Sequence, residues 1–185
     1  MIGGEIPTTL RDSPAGFHHD SGMTEHPPVS PRPAAILMLL TYVVGGIGYF
    51  IGISTLQQDP ASLSVAALLA VTATGVLSFF RHAVYNRSDA VHGGWDYGQR
   101  NNFQIEVGLA NLAWGVYALL AVILDWGLMA VSASFLISGL YFGFVAIFVI
   151  VTSGARQRKI GGIIGISVWA IMMIVMGVLG TNAAL

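Results

Sequence analysis

The residues able to carry acid-base or ligand chemistry gather in one stretch of the chain: His82, His92, Trp95, Arg100, Gln104, Glu106 and Asn111. Imidazole titrates near neutral pH, so His82 and Glu106, if they met where two helices converge, would form a proton-transfer pair or part of a cation site. Glu106 has a plainer reading as a first-turn acid that stabilises a helix start, with Arg100 close by. His82 and His92 offer ring nitrogens to a haem or a metal, but two histidines flanking one loop match no recognised ligand spacing. His18, His19 and His26, with Asp20 and Glu25, give at most casual metal affinity. No metal site and no catalytic residue is assigned, because the sequence shows no nucleophile-base pair, phosphate loop or ligand cluster.

The elements that must position these groups are set by composition. The chain has 185 residues, 55% of them hydrophobic and 9% charged, with a mean hydropathy of +0.73. That composition belongs in a bilayer. The lack of cysteine excludes disulfides, thiol redox pairs and cysteine-held clusters, and a net charge of -1 leaves no basic surplus for nucleic acid. Residues 1–32 hold five of the seven prolines and four acids, which predicts a disordered tail. From residue 33 to 185 the expectation is an all-α bundle of five transmembrane helices, at about 34–56, 62–80, 103–124, 128–152 and 160–181. Each is close to the ~20 residues that span the hydrocarbon core. None contains a proline, and the stretch from Arg81 to Asn102 reads as a long loop.

All eight basic residues fall on one side of a five-span alternation. The positive-inside bias then places the N-terminus in the cytoplasm and the C-terminus outside. Polar or small residues recur at helical spacing: Thr74, Ser78 and His82; Gln104, Gly108, Asn111 and Gly115; Ser134, Ser138 and Tyr141. They read as interhelical glue or as the lining of a small wet cavity. Trp114 and Trp169 read as interior packing residues, with Asn111 one turn from Trp114 and able to receive its N–H. Gly48/Gly52, Gly139/Gly143 and Gly161/Gly165 are small-xxx-small pairs through which helices, or copies in a homo-oligomer, could approach. The short break at Asp125 predicts antiparallel packing of spans three and four.

His82, Gly94-Trp95 and the run from Phe103 to Gly115 (Phe-Gln-Ile-Glu-Val-Gly-Leu-Ala-Asn-Leu-Ala-Trp-Gly) resemble a family of small uncharacterised bacterial integral-membrane proteins. The likeness covers roughly residues 78 to 120. It implies a shared multi-helix fold in a bacterial inner membrane and supplies no activity. The family's following helix tends to carry a histidine, whereas this chain has Gly139-Leu140-Tyr141-Phe142-Gly143 there. Three functions stand as expectations. The first is a protein without catalytic motif that binds a lipophilic small molecule or a membrane partner. The second is a redox or quinone-site subunit using His82 and Glu106, with haem or quinone as its cofactor. The third is a small channel or transporter acting as an oligomer.

Overall fold

The computed structural model describes residues 28–94, 100–152 and 160–185. The expected tail up to residue 27, the candidate site residue Trp95, and the basic residues Arg156, Arg158 and Lys159 lie outside the described residues. Among those described there is no strand, and five helices are long and apolar enough to cross a membrane.

Helix α1, Arg32–Thr55, starts with Pro33 in its first turn, where the missing N–H has no helical partner to lose. A turn closed by the Thr55 hydroxyl donating to the Ser62 carbonyl at 2.6 Å leads into α2, Ser64–Val84. No proline interrupts α2, yet its middle and its end wind as π-helix, at Leu68–Ala73 and Phe80–Val84. Wider turns leave carbonyls under-bonded where they meet regular helix, and the Thr74 hydroxyl donates to the Ala70 carbonyl at 2.6 Å there. The chain leaves helical geometry at Tyr85 (φ −98°, ψ 30°) and resumes as α3, Asn86–Gly93. Gly94, at φ 78°, ends α3 in the left-handed region that favours glycine. The expected long loop is therefore largely helical. Its apolar content is too low for a membrane span, but Asp89 sits in the first turn of α3, where the helix dipole favours an acid.

Helix α4, Asn102–Ile123, is capped by the Asn101 side chain, which accepts from the Phe103 N–H at 2.9 Å. A tight turn with Asp125 and Gly127 at positive φ joins it to α5, Gly127–Thr152, and α6 runs Ile160–Ala184. As the short turn requires, α4 and α5 are neighbours: Tyr117 Oη donates to the Ala130 carbonyl at 3.3 Å, and the Trp114 and Tyr141 rings lie 4.4 Å apart. The most extensive packing is within two pairs, α2 with α4 and α5 with α6. The apolar centre is built from Tyr49, Leu63, Phe135, Trp169, Met173 and Met176, with Tyr42 and Tyr49 meeting the Trp169 ring edge-on. Large side chains elsewhere face outward, Phe50 being 75% exposed and Phe144 68%, as expected when the solvent is lipid.

Close backbone approach replaces the missing hydrophobic drive between helices. A Cβ on Gly75 would stand 2.6 Å from the Asn111 carbonyl oxygen and 3.1 Å from the Gly115 Cα, so α2 and α4 touch backbone to backbone. Gly108 likewise meets Ala83 at 3.0 Å. The three glycine pairs divide. Gly48, Gly52, Gly139 and Gly165 are filled by neighbours within the chain, whereas Gly143 and Gly161 open onto nothing within 4 Å.

We expect Gly75→Ala to lower the melting temperature in detergent, by the ~1–3 kcal/mol typical of overpacking a rigid site. Gly46→Ala, at a position with nothing within 4 Å, should be neutral or stabilising by up to ~1 kcal/mol through helix propensity. Equal losses from both substitutions would contradict the packing.

Candidate functional site

The last, π-helical turn of α2 carries Arg81 and His82, and the reversal at Tyr85 folds α3 back so that Asp89 meets both. Arg81 Nη2 lies 2.6 Å from His82 Nε2, and His82 Nδ1 lies 2.7 Å from Asp89 Oδ2. Guanidinium has only donors, so Nε2 accepts and the ring proton sits on Nδ1, which donates to the carboxylate. Arg81 Nε closes the triangle at 3.3 Å from Asp89 Oδ1, a charge contact whose alignment falls outside a hydrogen bond. From α4, Gln104 Nε2 donates to the same Asp89 Oδ2 at 3.1 Å. Next to it, Ser88 Oγ accepts from the Ala34 N–H at 3.2 Å. Four helices, α1 to α4, are thus tied at one end of the bundle.

The cluster is buried: the Asp89 side chain is 6% exposed and Gln104 1%. Burial opposes ionisation of Asp89. The hydrogen bond from His82, the Arg81 charge and the Gln104 amide outweigh it and hold the carboxyl below the usual range.

The structure thus brings His82 and Gln104 together, and does so on Asp89. Glu106 is exposed on α4 and has no hydrogen bond or ion pair with His82 among the described residues. His92 is half-buried in the last turn of α3, and Arg100 is exposed just before the Asn101 cap. Trp95 lies outside the described residues. Asn111 is buried deeper along α4, and its amide donates to the Val107 carbonyl of its own helix at 2.8 Å, without bridging helices through that group. Trp114 turns to Tyr141. No group of three or more metal-ligating side chains occurs among the described residues.

Sequence reasoning missed Arg81, Ser88 and Asp89. The available sign was an acid seven residues after His82 in a chain with few charges. The reversal at Tyr85 that brings them into contact has no proline or glycine to announce it.

Residues 32–182 match DUF6790, a family of unknown function. The chain belongs to that family. The match runs from the first turn of α1 almost to the end of α6, so it includes every residue of the Asp89 cluster. No curated protein and no protein of solved structure matches the chain.

Two expectations follow from the cluster. Asp89→Ala leaves the half-buried Arg81 cation and the Gln104 and His82 donors without their acceptor and should cost about 3 kcal/mol of stability, whereas Glu106→Gln, on an exposed side chain, should stay within about 0.5 kcal/mol. Thermal unfolding of the two variants in detergent compares them directly. A carboxyl depressed in the folded state contributes stability above its unfolded value and loses it as pH falls through the folded value. The melting temperature should therefore drop as pH is lowered below about 4, and Asp89→Asn should flatten that limb.

Proposed function

We propose that this chain is a non-catalytic membrane protein that works by binding, and that its partner is another membrane-spanning helix seated on the outer face of α5. The simplest partner is a second copy of the chain. The observation that carries this reading is the contrast between two glycines one turn apart. A Cβ on Gly139 would meet the Ile174 backbone nitrogen at 2.8 Å, whereas Gly143 opens onto nothing within 4 Å. Around Gly143, Leu140, Phe144, Ile147 and Val151 form an exposed stripe at helical spacing, which offers a notch with bulky flanks to an approaching helix.

The interior supports the same reading. Both ring nitrogens of His82 and both oxygens of Asp89 are engaged within the chain, so the cluster resembles a fastening more than a reactive centre. A redox or quinone-site role through His82 and Glu106 lacks the convergence it needs. The cavity lined by Thr74, Asn111 and Ser138 is about 20 Å³, itself far below the ~300 Å³ of small-molecule pockets.

The described arginines Arg32, Arg81, Arg87 and Arg100 share the end of the bundle that carries the cluster, while Asp59 and Asp125 mark the other. On the positive-inside bias the cluster faces the cytoplasm and Leu185 faces out, in a bacterial inner membrane as the sequence resemblance implies.

Native mass spectrometry from native-lipid nanodiscs tests the binding reading. A stoichiometric second chain that Gly143→Ile displaces is expected. A chain that stays alone at every protein density, or one carrying stoichiometric haem or quinone, overturns it. Because the chain has no cysteine, topology can be read with single introduced thiols. Gln58→Cys should react with a membrane-impermeant maleimide in intact cells, and Ser30→Cys only after permeabilisation. The reverse pattern would invert the orientation.

A further inference from the structure

Where α2, α4 and α5 converge beside Trp169 and Met173, Thr74, Ser78, Asn111 and Ser138 line a common cavity of about 20 Å³. A water molecule needs ~10–15 Å³ and two to four polar partners, so the space fits one. Ser138 is the telling side chain. It is 2% exposed, and its Oγ has no hydrogen-bond partner among the described residues. The neighbouring serines of α5 satisfy their hydroxyls within the helix, Ser132 on the Leu128 carbonyl at 2.7 Å and Ser134 on the Val131 carbonyl at 2.6 Å. Ser138 instead faces the cavity.

The other lining groups complement it. One N–H of the Asn111 amide is committed to Val107, and its carbonyl oxygen is open to accept. The Thr74 hydroxyl proton is committed to Ala70, so Thr74 can only accept. The Ser78 hydroxyl makes no side-chain hydrogen bond among the described residues.

We propose that this cavity binds one ordered water molecule, which accepts from the Ser138 hydroxyl and donates to Asn111 Oδ1 and to Ser78 or Thr74. The water joins α5 to the α2–α4 pair at a depth where lipid supplies no hydrogen bond. Without it, a buried hydroxyl would stand unsatisfied in the bundle centre.

A lipidic-mesophase crystal structure at a resolution that shows ordered water decides the matter. Density within ~2.6–3.2 Å of Ser138 Oγ, and within the same distance of Asn111 or Ser78, is expected. A featureless cavity at that resolution overturns the proposal. Thermal unfolding of Ser138→Ala gives an independent readout. If the water is bound, removing its donor lowers the melting temperature by a few degrees. If the cavity is dry, removing an orphan hydroxyl raises it, which again overturns the proposal.

Discussion

A carboxylate at the rim of a lipid-embedded bundle must find its counter-charge and its hydrogen bonds within the chain, and that requirement organises this molecule. Asp89 is 4% exposed as a residue. Left alone, a charge so placed would be strongly disfavoured or would take up a proton. Here Arg81 supplies the charge, and His82 and Gln104 supply donors from two other segments. Each donor that satisfies the acid fixes the position of the element it comes from. The end of α2, the short helix α3 and the start of α4 cannot move independently while the carboxylate stays ionised. The Ser88–Ala34 bond adds α1 to the same knot.

That knot works only because α2 and α4 approach far more closely than side chains would ordinarily allow. Gly75, Gly108 and Gly115 put backbone against backbone along the seam, and Gln104 and Asp89 meet at the end of it. The same closeness argues against a water-filled passage between these helices. Among the described residues, glycine contacts separate the polar groups into a rim cluster and a cavity of about 20 Å³.

Much of this was legible beforehand, and the reasons are physical. Apolar run length alone locates five spans, because a bilayer imposes one length on every crossing helix. The polar stripe from Gln104 to Asn111 on α4 falls on its buried face, since helical spacing and the lack of lipid hydrogen bonds point the same way. What the sequence could not show was the partner of His82. Glu106 stood out as the acid in a recognisable motif, but Gln104 and Glu106 lie on opposite sides of α4, and only Gln104 faces inward. Asp89 drew no reading, because it lies in the stretch taken as a long loop and nothing local marks the reversal at Tyr85. Nor does composition distinguish a π turn from an α turn, so the two wide turns of α2 were invisible.

The division between inside and outside has a consequence for where binding energy can come from. Interior polar groups that already bond one another gain nothing from a ligand, since a new hydrogen bond there would have to break an existing one. The outer surface of α5 and α6 is under no such constraint. In lipid, however, large apolar side chains carry no hydrophobic drive to associate, so exposure of Phe144 or Phe148 alone favours no partner. Association there must come from fit, and fit needs a place where a helix can come closer than lipid chains pack. Gly143 is such a place on α5, as Gly139 already is for α6 within the chain. The same device that closes the bundle internally, a glycine opposite a neighbour's backbone, is thus available once more on the surface that the fold leaves uncovered.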